Sequence, residues 1–308
     1  VPENSDELME ARARGVPVYD RGWVLPVLIE GDFSIAVSGT HGKTTTTAMI
    51  TQIFRAAGRD PSYCIGGEWN DGRDMAGAGQ GRVMVVEADE SDGTAALYAP
   101  DVAVINNIEY DHMENFRSES ALIECFQAFA TNARKTLVYG ADDPRARQVG
   151  AAMPNGLSFG LSETAGVRGC NLALKPDALS FDALNAGRLL GRLDLPVPGV
   201  HNALNALAAC AVALDSGIDF ESIRQGLAAF KAVRRRFEKI VDTPDWLVIS
   251  DYSHHPTEVR ALVKAAVQLG RKRVVAVFQP HRYSRTLALG AEFPDSFQGI
   301  DELVLAPV

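Results

Sequence analysis

Cysteine is scarce in this chain, and no two cysteines lie close together. The sequence has no Cys-x-x-Cys pair, and its four cysteines stand at Cys64, Cys125, Cys170 and Cys210. Such spacing provides neither a disulfide framework nor the paired thiolates of a structural zinc site. We therefore expect a protein of a reducing, cytoplasmic compartment.

Long apolar runs and an excess of positive charge are also lacking. No run approaches the ~18–20 residues that a membrane-spanning helix needs, and no signal-like segment opens the sequence. The net charge of −9 argues against a nucleic-acid or membrane partner, since both favour a basic surface. It does not argue against a nucleotide, because one local group of Lys, Arg and Mg²⁺ is enough to bind it.

The apolar residues form strand-like runs that alternate with helical stretches. With 308 residues, 46% of them hydrophobic, the chain is long enough for two domains. Near-continuous apolar strands separated by helices predict an α/β fold with a parallel sheet covered on both faces. These strands are expected at 33–37, 82–86, 102–105 and 136–139. Shorter alternating runs between 157 and 195 predict a small antiparallel portion, and a second strand–helix–strand alternation begins at Trp246.

Residues 38–47 have the sequence expected of a phosphate-binding loop. An apolar strand leads into Gly39, and Gly42-Lys43-Thr44 begins a helical pattern. Glycines let backbone N–H groups approach a phosphate, Lys43 adds positive charge, and the Thr44 hydroxyl can hold Mg²⁺. Only two residues separate the glycines, against four in the usual pattern. A glycine turn before a threonine-capped helix is therefore the alternative.

Acidic residues and a histidine follow the next two strands. Glu87 comes first after its strand, and we choose it as an Mg²⁺ ligand because ligands gather beyond the carboxyl ends of parallel strands. For Asp89 and Asp92, a solvated loop that caps the next helix is equally favoured. His112 lies on the same rim of the sheet, where a metal-binding role and a structural role are evenly balanced.

Other polar residues stand at the starts and ends of helices. His201, Asn202 and Asn205 open an apolar helix, and they either contact a base or simply cap that helix. Arg236 ends a basic cluster after a helix, where positive charge is favourable in any case. The functional interpretation is that Arg236 contacts a triphosphate across the gap between two domains.

Two loops near the end of the chain are rich in His, Tyr and Arg. They cover 251–256 and 279–286, and each follows a strand of the buried type. Because the planar guanidinium of Arg matches a carboxylate, these loops are suited to a small zwitterion.

Seven of these motifs, in this order, resemble the Mur ligases of peptidoglycan synthesis. They are GTHGKTTTT, EADESD, NNIEYDH, PGVHNALNALAA, RRRFE, DYSHHPTE and FQPHRYSRT. The resemblance implies that 1–32 is the tail of a UDP-binding domain with a linker. It further implies a central P-loop ATP-binding ligase domain at 33–236 and part of a Rossmann-like, amino-acid-binding domain at 237–308. We accordingly expect a fragment of a longer protein.

The resemblance also assigns roles to individual residues. It implies catalytic roles for Lys43, His112 and Arg236. Thr44 and Glu87 would hold one Mg²⁺, and His112 would hold a second. The implied ATP-binding residues are Gly39, Thr40, His41, Gly42, Lys43, Thr44, Thr45, His201, Asn202, Asn205, Arg236 and Asp251. The implied substrate-binding residues are Asn107, Tyr252, His254, His281, Arg282 and Arg285.

The implied reaction is ATP-dependent amide formation in the cytoplasm. The lactyl carboxylate of UDP-N-acetylmuramate would attack the γ-phosphate, and the amine of L-alanine would then displace phosphate from the acyl phosphate. A ligase that attaches a whole tripeptide to the same sugar is the nearest alternative. A P-loop nucleotide-binding protein without ligase activity is another.

Overall fold

The computed structural model describes residues 5–19, 21–111, 115–116 and 118–308. The strands are β1 (Phe33–Ser38), β2 (Ser62–Cys64), β3 (Ala76–Gly77), β4 (Val83–Glu87), β5 (Val102–Ile105), β6 (Thr136–Gly140), β7 (Gly156–Gly160), β8 (Val167–Leu174), β9 (Leu179–Asn185), β10 (Arg188–Leu195), β11 (Glu238–Asp242), β12 (Leu247–Ser250), β13 (Val275–Phe278) and β14 (Glu302–Leu305). The helices are α1 (Asp6–Ala13), α2 (Val24–Leu28), α3 (Lys43–Ala56), α4 (Glu119–Thr131), α5 (Pro144–Ala151), α6 (Val200–Asp215), α7 (Phe220–Ala228), α8 (Pro256–Val267), α9 (Tyr283–Leu289) and α10 (Phe293–Ser296).

Ten strands form one large sheet in the order β10-β9-β8-β7-β6-β5-β1-β4-β2-β3. All neighbours from β8 to β2 run parallel. Antiparallel pairs occur only at the two ends of this sheet, where β9 and β10 extend one end and β3 the other. The predicted α/β class, with a mainly parallel sheet and a small antiparallel portion, is confirmed.

The central strands are buried on both faces because their residues alternate between two cores. Ile35 and Val37 of β1 belong to one core, with α3, α6 and α7, whereas Ala36 belongs to the other. That second core includes Phe126 and Phe129 of α4. Since successive side chains of a strand point to opposite faces, both sides of β1 must be apolar. This is why the strand reads as a continuous hydrophobic run.

The last part of the chain forms smaller elements around α8. Strands β11 and β12 pair antiparallel, and β13 and β14 pair parallel. Val259 and Val263 of α8 pack with Phe278 of β13 in a third, small core. The predicted strand–helix–strand alternation from Trp246 corresponds to β12, α8 and β13, whereas β11 was not predicted. No helix in the described part of the chain combines the length and the apolar character that a bilayer crossing requires.

Candidate active site

The phosphate loop connects β1 to α3, and two glycines determine its shape. Gly39 and Gly42 have φ values of +131° and +81°, which residues with a side chain rarely adopt. Gly42 is the N-cap of α3, and a Cβ placed there would lie 2.3 Å from Oδ1 of Asn205. The loop therefore passes against α6 at a distance that only glycine permits.

Lys43 is the first residue of α3, and its ammonium group lies inside the loop. Nζ donates to the backbone oxygen of Gly39 at 2.7 Å and to the carboxylate of Glu90 at 2.9 Å. Burial alone would lower the pKa of Lys43, but Glu90 and Glu87 outweigh it and raise the pKa above its usual value. Glu90 is fully buried, and the sequence analysis did not select it from the acidic run that follows β4.

Thr44 and Glu87, both expected as metal ligands, lie next to each other. The Thr44 hydroxyl donates to Oε2 of Glu87 at 2.8 Å, and the backbone N–H of Gly66 donates to the same oxygen at 2.8 Å. Burial raises the pKa of Glu87, while Lys43 and Thr44 act in the opposite direction. A hydroxyl and a carboxylate beside a phosphate loop are the oxygen donors that Mg²⁺ prefers. The residues present therefore fit such an ion.

Asn107, expected on the sugar substrate, holds the phosphate loop in this structure. Its Oδ1 accepts a hydrogen bond from the backbone N–H of His41 at 2.8 Å, and its Nδ2 donates to the His41 carbonyl at 3.2 Å. Asn106 donates to the same carbonyl and to the Thr46 hydroxyl. Two adjacent amides at the end of β5 thus fix the backbone of the loop.

A cavity of about 330 Å³ opens beside the loop, between α6 and the residues that follow α7. Apolar side chains such as Phe159, Val197 and Leu262 contribute to its wall. It also contains eight residues that the sequence analysis assigned to ATP: His41, Gly42, Thr45, His201, Asn202, Asn205, Arg236 and Asp251. The mixture of apolar wall and converging polar groups is typical of a small-molecule site.

Asp251 also stabilises the turn that borders this cavity. Its carboxylate accepts hydrogen bonds from the backbone N–H of Phe237 at 2.7 Å and of Ser253 at 2.8 Å. Arg236 faces α8, with its guanidinium 3.8 Å from the carboxylate of Glu258. Asp251 and Arg236, both expected near the nucleotide, thus lie between the part of the chain with the ten-stranded sheet and the smaller elements around α8.

Four of the residues expected to bind the amino acid form a second group. The rings of Tyr252, His254 and His281 pack together with centroid separations of 5.3 to 6.3 Å. The Arg285 guanidinium lies 3.0 Å from Nδ1 of His281 and binds Asp111 through two hydrogen bonds of 3.0 and 2.9 Å. Asp111 and Arg285 are both buried, and Asp111 was not among the predicted site residues.

Arg282 and His112 were also predicted as site residues. Arg282 is the N-cap of α9 and has a positive φ of 67°. His112, expected to bind the second Mg²⁺, lies outside the described residues. Its proposed role stays a prediction.

His41 connects the phosphate loop to the last part of the chain. Its Nε2 lies 2.6 Å from Oε2 of Glu109, and its Nδ1 lies 3.2 Å from Oε1 of Glu258 at the start of α8. Burial alone would lower the pKa of His41, but the two carboxylates outweigh it and raise the pKa to about 9. Sequence reasoning missed Glu109 and Glu258, because nothing local indicates that they meet the same histidine.

Family models match most of the chain. The Mur ligase middle domain matches residues 37–213, and the glutamate ligase domain of Mur ligases matches residues 235–307. The chain belongs to the Mur ligase family. Among the relatives of this Mur ligase are the UDP-N-acetylmuramate–L-alanine ligases of Gloeobacter violaceus and Kineococcus radiotolerans, which are 42% and 43% identical to it over its whole length. The chain spans 66% of each of these relatives.

A solved structure shows the same architecture. The UDP-N-acetylmuramate–alanine ligase of Thermotoga maritima has a TM-score of 0.86 and 29% sequence identity. The match covers all of this chain and 70% of the Thermotoga chain. The arrangement of the sheet and the following elements is therefore that of a Mur ligase.

The His41 network predicts a loss of stability of this Mur ligase in alkali. The unfolded-state pKa of histidine is about 6.5, and the folded value is about 9. The native state therefore binds more protons between these values, so stability is full below pH 6.5 and is lost as the pH rises through 9. We expect a loss on the order of 3 kcal/mol in the free energy of unfolding, measured by denaturant titration from pH 6 to 10 in EDTA. His41→Gln should remove this slope, and an equal slope in that variant would contradict the assignment.

Proposed function

We propose that the protein to which this chain belongs joins L-alanine to the lactyl carboxylate of UDP-N-acetylmuramate in the cytoplasm, using ATP. The observation that carries this proposal is the meeting of two groups of residues. A phosphate loop with a charged Lys43 lies beside a cavity. A cluster of His, Tyr and Arg side chains on the last part of the chain includes Tyr252, whose neighbours in sequence, Asp251 and Ser253, line that cavity. The names of the relatives from Gloeobacter and Kineococcus support this substrate pair.

The proposed reaction must overcome the electrostatic repulsion between its two reacting groups. A carboxylate must approach the γ-phosphate of ATP, and both are anions. Lys43 and Arg236 supply fixed positive charge where the negative charge develops, which is the commonest large contribution to such catalysis. The carboxylate oxygen bonds to phosphorus as ADP leaves, and the alanine amine then attacks the acyl carbon while phosphate and a proton leave. Mg²⁺ held by Thr44 and Glu87, with His112 at a second ion, would supply further charge neutralisation.

We assign the remaining predicted residues to the same proposal. His201, Asn202, Asn205 and Asp251 would contact the nucleoside, since they line the cavity. Tyr252, His254, His281, Arg282 and Arg285 would bind the amino acid. Residues 33–236 would form the ATP-binding domain, residues 237–308 the start of the amino-acid-binding domain, and residues 1–32 the tail of a UDP-binding domain.

Release of phosphate by the full-length protein tests the proposal. With ATP, Mg²⁺ and UDP-N-acetylmuramate present, L-alanine should stimulate release and should appear in an amide product by mass spectrometry. Stimulation by a tripeptide instead of alanine would favour the recycling reaction. If neither L-alanine nor the tripeptide changed the rate of phosphate release, the protein would only hydrolyse the nucleotide, and the ligase proposal would be overturned.

Glu87→Gln should weaken the binding of Mg²⁺, so that activity requires a higher Mg²⁺ concentration. Replacement of the carboxylate ligand by a neutral amide should raise the Mg²⁺ concentration for half-maximal activity by about 10- to 100-fold. Asp92→Asn is the matched control, because Asp92 follows the same strand and accepts hydrogen bonds from Thr94 instead. Equal Mg²⁺ requirements in the two variants would show that Glu87 does not bind the ion.

A further inference from the structure

Three metal-binding side chains converge where the phosphate loop meets the last part of the chain. They are His41 on the loop, Glu109 after β5 and His255 at the N-cap of α8. One donor atom from each lies within 4.8 Å of the other two. The closest pairs are Nε2 of His41 with Oε2 of Glu109 at 2.6 Å, and Nδ1 of His255 with the same oxygen at 3.3 Å. None of the three belongs to the Thr44–Glu87 pair.

In the described part of the chain, His255 uses only one of its two ring nitrogens in a hydrogen bond. Its side chain is buried, and its Nε2 has no hydrogen-bond partner among the described residues. Its Nδ1 accepts a hydrogen bond of 3.3 Å from the Thr257 N–H, which caps α8, and lies 3.3 Å from the Glu109 carboxylate. A neutral imidazole with an available lone pair is the form that binds metals.

The surrounding residues orient two of the donors in the way that metal sites require. A ligating histidine usually donates its other ring N–H to a carboxylate. Nδ1 of His41 lies 3.2 Å from Glu258 in that position. The second oxygen of Glu109 accepts a hydrogen bond from the Thr257 hydroxyl at 2.9 Å. Both supporting groups come from α8, while His41 and Glu109 come from the central sheet domain.

We propose that His41, Glu109 and His255 bind a divalent first-row transition ion of the Zn²⁺ class, which links α8 to the phosphate loop. Two imidazoles and one carboxylate with an open fourth position are a common zinc donor set, whereas Mg²⁺ takes oxygen ligands. The ion replaces the proton on Nε2 of His41. Metal–ligand bonds of ~2.0–2.2 Å in a tetrahedral site place donors ~3.4 Å apart. His41 and Glu109 therefore separate by less than about 1 Å on binding.

Calorimetric titration with ZnCl₂ tests this site directly and does not depend on the proposed reaction. The whole chain is used without a histidine tag, after EDTA treatment and dialysis, in excess Mg²⁺. The background carries Cys64→Ser and Cys170→Ser, because both cysteines are partly exposed and free thiolates also bind zinc. We expect one Zn²⁺ per chain, with affinity at least about 10-fold weaker in His255→Gln and in His41→Asn.

His281→Gln is the matched control, because His281 packs against His254 in the other histidine cluster. It should leave zinc affinity unchanged, and Co²⁺ in the parent chain should give the visible spectrum of a tetrahedral nitrogen–oxygen site. No stoichiometric binding in the parent chain would overturn the proposal. So would an affinity that is unchanged in His255→Gln or is lost in His281→Gln. Circular dichroism of each variant verifies the fold, and if His41→Asn does not fold, His255→Gln and the Co²⁺ spectrum decide.

Discussion

Lys43→Met should reduce ATP-dependent turnover of the full-length protein by about 10²- to 10³-fold or more. This is the usual effect of removing one preorganised group that stabilises developing negative charge. Lys43 is the ammonium group inside the phosphate loop, bound to the Gly39 carbonyl and the Glu90 carboxylate. Initial rates of phosphate release at saturating substrates measure the effect.

The same substitution should also destabilise the fold. Glu90 is fully buried, and it would lose the ammonium group that balances its charge. Breaking a buried ion pair from one side costs about 3–5 kcal/mol, whereas replacing both partners is much less costly. We therefore expect Lys43→Met with Glu90→Gln to recover most of the free energy of unfolding without recovering turnover. A double variant that turned over at the parent rate would refute the assignment of the phosphate loop.

Arg285→Ala should raise the KM for L-alanine far more than the KM for ATP. The guanidinium lies beside His281 in the cluster proposed to bind the amino acid, and ATP is proposed to bind in the separate cavity beside α6. Loss of one member of a buried charge pair at an interface costs about 2–5 kcal/mol. The KM for alanine should therefore rise by ~30-fold or more, as measured in separate titrations of each substrate. Equal effects on both substrates would show that the pocket is misplaced.

Asp111→Asn separates two ways in which Arg285 can act. Arg285 is bound through two hydrogen bonds to Asp111, which follows β5 in the central domain. If Arg285 only joins the two parts of the chain, Asp111→Asn should reproduce the effect of Arg285→Ala. If Arg285 also clamps the carboxylate of alanine, Arg285→Ala should have the larger effect on KM. We expect the second result.

The main elements of the fold were predictable because their signals are local. Strand β5 was predicted with the bounds that it has, since its four apolar residues contribute to both cores. Strand β11 was missed because it has only two apolar residues, placed between charged ones, and its residues remain largely exposed. Strand β7 contains two glycines and a serine, and its pairing with β6 and β8 makes it a strand. Such pairing depends on distant residues.

The residues of the candidate site likewise divide into those with a local signal in the sequence and those without one. Lys43, Thr44 and Glu87 were identified from the phosphate loop and from the rule that ligands follow parallel strands. The partners Glu90 and Glu258 were not, because each meets its basic residue across a long separation in sequence. Asn107 was placed on the substrate by resemblance, and that role stays a prediction; the hydrogen bonds of its amide to the loop were not predicted.

That amide has a consequence for how a nucleotide is received. The peptide of His41 is bound at both its N–H and its carbonyl by Asn107, and Asn106 binds the carbonyl as well. The loop therefore keeps one conformation before any phosphate arrives, and a ligand need not spend part of its affinity on ordering it. We therefore expect a nucleotide to bind to a preorganised loop, with little ordering of the loop upon binding.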